Sequence, residues 1–350
     1  MFKKNKPLVL APNLKIKLSG VTSTIIALVP IQSKLISIST TGLGLPRGIP
    51  HISLFKTIFL SRSVSRVWHA RRNTEMLVGM LLKIIFRCNF ILIFTSEAQR
   101  KHTFFKKFLI NRMNYVIAPS TQSQSYVEVP STVISHGIDT KHFFPCKNKE
   151  KLRKSLGLPE GLLIGCFGRI RPLKGTNIFV EAAVRVLKSN DRVTFLIIGR
   201  TTKKFRKFKK SLTKKINDLK LEKKILFLDE VSWNQIAQYY RSLDLFVAPS
   251  IYEGFGLTPI EAMASGTPVI AFKDVGSFNE QIIDKKTGLL LDNKCSKELS
   301  EAIIRAISDP KELLAYSKNA RQHVLQNFNI ITEAKSLINI YKQLLKNSVV

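Results

Sequence analysis

Residues 243–272 read LDLFVAPSIYEGFGLTPIEAMASGTPVIAF. The run LDLFVAPS (243–250) has the length of a strand and ends in Pro249 and Ser250. A loop holding Gly254 and Gly256 follows, then a short helical stretch at 259–266 and a second apolar run, PVIAF (268–272). Strand, loop, helix and strand in this order form a βαβ unit. The apolar runs are continuous, not alternating, so both strands should be covered on both faces. That is the habit of a parallel sheet.

The pattern repeats outward from that unit. LLIGCF (162–167), VTFLIIG (193–199) and ILFLDE (225–230) read as strands. Residues 176–188 and 233–241 read as helices, 276–283 as a turn and helix, and the basic stretch from Arg200 to Lys224 as helical. The front half repeats the pattern less cleanly in KPLVLAP, SRVWHA, FILIFTS and NYVIAPS. Apolar residues at 330, 334, 337, 338, 341, 344 and 345 have helical spacing and predict a packed terminal helix. The fold class is α/β.

A chain of 350 residues suggests two domains. With 45% hydrophobic and 23% charged residues, disorder and collagen are excluded. His136-Gly137-Ile138-Asp139 is turn chemistry, Pro145 follows, and 147–154 is polar, so the linker belongs there. Four cysteines, Cys88, Cys146, Cys166 and Cys295, have neither zinc spacing nor a disulfide framework, which fits a reducing compartment. The N-terminal apolar stretch is short for a signal peptide, and no apolar run approaches a membrane span.

The net charge is +32. Such an excess favours a polyanionic partner, although a compositional bias towards Lys and Asn would also produce it. Residues 1–150 hold 22 Lys and Arg against 5 Asp and Glu, and in residues 1–127 the acids are Glu75 and Glu97.

Parallel sheets bind ligands beyond the carboxyl ends of their strands. That rule points to His69, Thr95, Ser120, Gly168, Gly199, Glu230 and the loop from Ser250 onward. In that loop Thr258, Pro259 and Glu261 read as an N-cap, first helical residue and capping-box partner. The amides of Gly254 to Thr258 would then line a positive helix terminus, a natural anion site. Glu253 is harder to explain structurally, because it precedes a Gly-x-Gly turn without an evident partner. A second stretch, Gly168 to Thr176, also follows a strand and opens a helix, and its Arg169 and Lys174 could converge on a diphosphate. It is neither a Walker loop nor a dinucleotide fingerprint.

Together these stretches resemble the family-four retaining glycosyltransferases. The Glu-x7-Glu signature is present as Glu253 and Glu261, and the Gly-Arg…Lys-Gly donor motif as Gly168, Arg169, Lys174 and Gly175. His136 to Asp139, with Phe143, Phe144 and Pro145 after it, resembles the segment entering that family's second domain. In the front half, LSGVTST (18–24), LGLP (43–46), WHARRNTEML (68–77) and TSEAQ (95–99) are similar to stretches of the lipopolysaccharide core mannosyltransferases of alphaproteobacteria.

The resemblance implies a GT-B fold, two Rossmann-like domains with parallel sheets facing across a cleft. Residues 1–145 would bind the acceptor and 146–329 the nucleotide sugar, with 330–350 crossing back to the first domain. It implies transfer of mannose from GDP-mannose to the 3-deoxy-manno-octulosonic acid (Kdo) region of the inner core on lipid A. Glu253 would contact the donor sugar hydroxyls and Glu261 the ribose. Amides at Gly254, Phe255, Gly256 and Leu257 would hold phosphate or sugar, with Gly168, Arg169 and Lys174 at the diphosphate. Gly20 would face that diphosphate from the first domain. Glu230 and Val231 would edge the base, His69 would lie near the sugar, and Arg71 and Arg72 would meet acceptor phosphate or carboxylate.

No Asp-x-Asp motif occurs, so no metal or other cofactor is expected. The expected partners are a nucleotide sugar, Kdo-bearing lipid A and the anionic inner membrane, not nucleic acid. The expected place is cytoplasmic, peripheral at the inner face of the inner membrane. The block KKFRKFKKSLTKK (203–215) would be either a solvated helix face or a membrane contact through Phe205 and Phe208.

Three other readings compete. The same fold could use UDP-glucose, ADP-glucose or UDP-N-acetylglucosamine. Charge alone would allow a nucleic-acid binder, but no reader motif is present. A non-catalytic polyanion-binding relic would not be expected to keep Glu253, Glu261, Arg169 and Lys174.

Overall fold

The computed structural model describes residues 6–15 and 20–348, so Leu18 and Ser19 of the LSGVTST stretch lie outside the described residues. The chain forms two compact units, Met1–Gly137 with Asn329–Val350, and Ile138–Phe328.

In the first unit the elements run β1 (Val9–Asn13), α1 (Gly20–Gln32), β2 (Ile38–Gly42), α2 (Leu54–Ile58) and β3 (Arg66–Ala70). Then come α3 (Asn73–Ile84), β4 (Phe90–Thr95), α4 (Phe104–Ile110), β5 (Tyr115–Ala118), α5 (Thr121–Gln124) and β6 (Thr132–Val133). All six strands are parallel, in the order β2-β1-β3-β4-β5-β6. The order reverses at β1, which puts helices on both faces. Alternate residues of β1 serve the two faces. Val9 and Ala11 pack with Ile25, Leu28 and Val29 of α1, whereas Leu10 packs with Trp68, Met76 and Met80.

The second unit contains α6 (Lys149–Ser155), β7 (Leu162–Phe167), α7 (Thr176–Leu187), β8 (Val193–Ile198), α8 (Arg206–Asp218), β9 (Ile225–Leu228) and α9 (Trp233–Ser242). It continues with β10 (Leu245–Ala248), α10 (Leu257–Ala264), β11 (Val269–Phe272), α11 (Phe278–Gln281), β12 (Gly288–Leu291), α12 (Ser296–Ser308) and α13 (Pro310–Asn327). Its parallel sheet has the order β12-β11-β10-β7-β8-β9. β8, β10 and β11 are buried along their whole length, as their continuous apolar runs require. The last helix, α14 (Ile330–Asn347), belongs to the first unit, where Ile330, Ala334, Leu337, Ile338 and Tyr341 are buried beside α1.

The chain changes unit between Gly137 and Ile138, ahead of the boundary expected at 145/146. Ile138 and Phe143 are already part of the second unit's core. Arg321 of α13 also binds the carbonyls of Thr140 and Phe143 at 3.2 and 2.6 Å.

The start of α10 differs from the capping-box reading. Its N-cap is Gly256 at φ 83°, not Thr258, and Glu261 makes no capping box. Pro259 sits inside the first turn, where a missing amide costs no intrahelical bond.

Candidate active site

β10, β7 and β8 are neighbours in the middle of the second sheet. The loops leaving their carboxyl ends touch through backbone, and glycine makes that possible. A Cβ on Gly199 would lie 1.7 Å from the carbonyl oxygen of Gly168. A Cβ on Gly175, which has φ 67°, would lie 1.7 Å from the carbonyl oxygen of Pro249. The amides of Ile251 and Tyr252 then donate to the carbonyl of Leu173 at 3.0 and 3.4 Å. The loop that follows β7 is thereby fastened to the loop that follows β10.

This fastening joins two motifs that are far apart in sequence. Lys174 Nζ donates to Glu253 Oε1, and Ser250 Oγ donates to the same oxygen at 2.9 Å. Both charged side chains are mostly buried, 19% exposed for Lys174 and 11% for Glu253. Glu253, which lacked a partner in the sequence, therefore has two. The pair lies beside a small cleft lined by Gly168, Arg169, Lys174, Ser250 and Thr258. Arg169 is exposed there. Cys166 also reaches the cleft, but burial pushes its thiol up to about 12, with Lys174 offsetting only part of that, so it stays protonated.

Glu261 lies on α10 and accepts a hydrogen bond from the Tyr240 hydroxyl at 2.8 Å. Burial raises its carboxyl above the ordinary range, while the Tyr240 hydroxyl and the charge of Lys174 pull it down. Burial and Glu261 together push Tyr240 well above its usual value. Sequence reading missed Tyr240. The available signal was an aromatic hydroxyl on the inner side of a helix, which needs a partner once buried.

The Gly254 to Leu257 loop is held through its carbonyls. Gln281 Nε2 donates to Phe255 O at 3.2 Å and Gly256 O at 3.0 Å, and the Ser277 amide donates to Phe255 O at 3.0 Å. The opening amides of α10 lie beyond the reach of any i−4 carbonyl and carry the positive end of the helix. Gly276 matters for the same corner, since a Cβ there would lie 2.8 Å from Glu253 Cβ. Glu230 and Val231 follow the edge strand β9, where Glu230 is exposed and 3.9 Å from Arg200.

The strand-end residues of the first unit behave differently. Gly20 opens α1, and a Cβ there would meet nothing within 4 Å among the described residues. His69 is 1% exposed, with Tyr341 OH 2.6 Å from Nδ1 and Thr95 Oγ1 2.7 Å from Nε2. Burial, then the charges of Arg71 and His136, hold it well below its ordinary pKa, so it is neutral. Both ring nitrogens have partners inside the unit, the Tyr341 hydroxyl and the Thr95 hydroxyl.

Arg72 also turns inward, donating to Glu75 Oε1 at 2.5 Å, Asn13 Oδ1 at 3.0 Å and Thr22 Oγ1 at 2.9 Å. Glu75 is fully buried and needs this countercharge. Arg71 is buried too, and its amide donates to Glu75 Oε2 at 2.8 Å. The two arginines are therefore not a freely solvated pair. In the basic block, α8 turns Leu212 and Ile216 inward, and Phe208 packs on the core instead of facing an interface.

The family model for glycosyl transferases group 1 matches residues 148–323. The lipopolysaccharide core biosynthesis mannosyltransferase LpcC of Rhizobium leguminosarum bv. viciae is 44% identical over 342 residues, covering 96% of each chain. LpsB of Rhizobium meliloti (strain 1021), also named a lipopolysaccharide core biosynthesis mannosyltransferase, is 42% identical over 346 residues, covering 97% of this chain and 98% of LpsB. Anabaena Alr3699/HepE, solved in complex with UDP, matches with a TM-score of 0.84 at 22% identity over 96% of this chain and 99% of its own. That likeness bears on the fold, which is the GT-B class of two Rossmann-like units with parallel sheets. The match covers β7 to α13, the unit in which Lys174, Glu253 and Glu261 are assembled, and the chain belongs to the group 1 glycosyltransferases.

Proposed function

We propose that this enzyme moves mannose from GDP-mannose to the Kdo region of the lipopolysaccharide inner core on lipid A, with retention at the anomeric carbon. The observation that carries the chemistry is the convergence of Lys174, Glu253 and Ser250 at the opening of α10. The choice of mannose and of the lipopolysaccharide core rests on the near-full-length similarity to two enzymes named lipopolysaccharide core biosynthesis mannosyltransferases.

The second unit takes the donor. Breaking the sugar–phosphate bond leaves positive charge at the anomeric carbon and adds negative charge to the departing diphosphate. Lys174, Arg169 and the first amides of α10 stabilise that diphosphate, and Gly20 faces it from the first unit. Glu253 accepts hydrogen bonds from sugar hydroxyls and Glu261 from the ribose, while Glu230 and Val231 edge the base. Lys174 is bound to Glu253, so each helps to hold the other in place. The leaving phosphate assists deprotonation of the acceptor on the same face. No metal is required, because side-chain cations and a helix terminus meet the charge. The protein works at the anionic inner face of the inner membrane, where its net charge of +32 favours the phosphorylated acceptor.

The test is transfer of labelled mannose from GDP-mannose to Kdo-bearing lipid A precursor in the presence of EDTA. Labelled lipid is expected. Transfer from a UDP- or ADP-sugar in its place would overturn the donor assignment, and label that appears only after metal is restored would overturn the metal-free chemistry.

A further inference from the structure

We infer that the outer face of α2, α3 and α4 in the first unit is the surface on which this protein rests on an anionic lipid bilayer. The inference deepens the proposed function and depends on it for the relevance of a membrane.

The three helices lie on one side of the first sheet. Leu54 and Ile58 of α2, Met76 and Met80 of α3, and Leu109 and Ile110 of α4 all pack into the same core cluster, and α3 packs directly on α4. That satisfies the apolar inner side of each helix. Each then carries a second apolar stripe facing solvent. On α3 this is Leu77, Leu81 and Ile84, at helical spacing i, i+4 and i+7, continued by Ile85 and Phe86. On α4 it is Phe104, Phe105 and Phe108, and around α2 it is Phe55 and Phe59. Phe104 is 87% exposed, and Phe59 and Ile84 are each 69% exposed. A helix apolar all round belongs inside a protein or against lipid, and a large exposed apolar patch marks an interaction surface.

The charge on this face selects the occupant. Exposed Lys56, Arg62, Lys83, Arg87, Lys101 and Arg112 interleave with the apolar residues. Acidic relief is missing, because Glu75 is buried against Arg72, and Glu97 is turned towards His136 at 3.6 Å. The acid nearest in sequence beyond them, Glu128, is paired with Lys107. Bulky apolar side chains among cations, with acids withdrawn, fit the boundary between anionic headgroups and acyl chains. A second copy of this chain would bring the same cations together and be repelled.

The experiment uses the full chain and two kinds of vesicle, neutral phosphatidylcholine and the same lipid with phosphatidylglycerol. Binding is read by co-sedimentation, and transfer is read separately with a water-soluble Kdo acceptor lacking acyl chains. Wild type should bind the anionic vesicles and lose them in high salt. The variant I84S/I85S/F104S and the variant K83E/R87E should each bind them about tenfold or more weakly, with unchanged melting temperature and soluble-acceptor turnover. A control, K207E/K210E in α8, should bind like wild type.

Full binding by both test variants would overturn the inference, as would equal binding of wild type to neutral and anionic vesicles. So would a wild-type dimer in sedimentation that the apolar variant dissolves. The proposed function fails by a different sign: intact vesicle binding with no mannose transfer to either acceptor.

Discussion

In the second unit the polar residues at the strand ends gather around a cleft. Lys174, Ser250 and Glu253 share one carboxylate oxygen there, and Arg169 stands exposed beside them. In the first unit the corresponding strand-end residues, His69, Arg71 and Arg72, turn inward to Tyr341, Thr95 and Glu75. Both sheets are parallel and doubly wound, so topology does not cause the difference. Local backbone does. Gly175 and Gly199 let loops of the second unit cross at contact distance and present side chains together. The first unit has a buried glutamate that needs cations, and it takes them from the surface. A strand-end position therefore nominates a residue for function, and the packing beneath it decides whether the residue is available.

The contrast breaks most severely at Gly175. Gly175→Ala puts a Cβ into the Pro249 carbonyl and asks alanine for φ 67°, a conformation that alone costs about 1–2 kcal/mol. The loop has to move, and Lys174 parts from Glu253. We expect a lower melting temperature together with a loss of transfer on the order of 10³-fold, since more than one transition-state contact is displaced. A stable and fully active variant would show that the fastened loops are not what assembles the site.

Glu253→Gln tests the chemistry without the backbone. The side chain keeps its size and loses its charge, so the fold should persist while kcat/KM falls about 10²- to 10³-fold. Unchanged turnover would remove Glu253 from the proposed mechanism.

The first unit should show its buried charges through pH. His136 lies 2.8 Å from Glu333 and 3.6 Å from Glu97. Burial by itself lowers its pKa, but Glu333 and then Glu97 outweigh burial and raise it from 6.5 to about 10. A histidine raised on folding contributes stability that is full below its unfolded pKa and is lost as pH climbs through the folded one. Wild type should therefore lose stability between pH 6.5 and pH 10 relative to His136→Gln, by a few kcal/mol at the order-of-magnitude level. Lys106, lowered by burial to about 8, titrates in the same window with the opposite sign, so the difference between the two proteins is the quantity to measure. Parallel pH curves for the two would mean that His136 is not charged in the fold.

These differences mark what could be read in the chain. β7, β8 and β10 were legible because continuous apolar runs have few alternatives to a buried strand. β2, with the sequence ISTTG, was not, because its side chains are small and polar although most are buried. The two donor motifs were legible one at a time. Their contact was not, since it depends on the absence of a side chain at Gly175, where a Cβ would lie 1.7 Å from the carbonyl oxygen of Pro249. Thr258 misled because Pro259 favours the first helical position but is also tolerated at the third, and Gly256 at φ 83° is the N-cap. The hydrogen bonding of His69 was not legible for a longer-range reason: its partner Tyr341 arrives from the other end of the chain.

Gly20 gives the smallest and most discriminating effect, because it is the counterpart of Gly175 in the first unit. Among the described residues a Cβ at Gly20 would meet no atom within 4 Å, and Gly20 is not at positive φ. Packing therefore gives no reason for glycine here, and Gly20→Ala should change stability by less than about 1 kcal/mol. If the position faces the donor diphosphate, as proposed, the added methyl should raise the KM for GDP-mannose a few-fold while the melting temperature stays put. At Gly175 the methyl strikes the protein, whereas at Gly20 it strikes none of the described residues. An unchanged KM would leave the first unit without a donor contact at this loop, and donor recognition would then rest on the second unit alone.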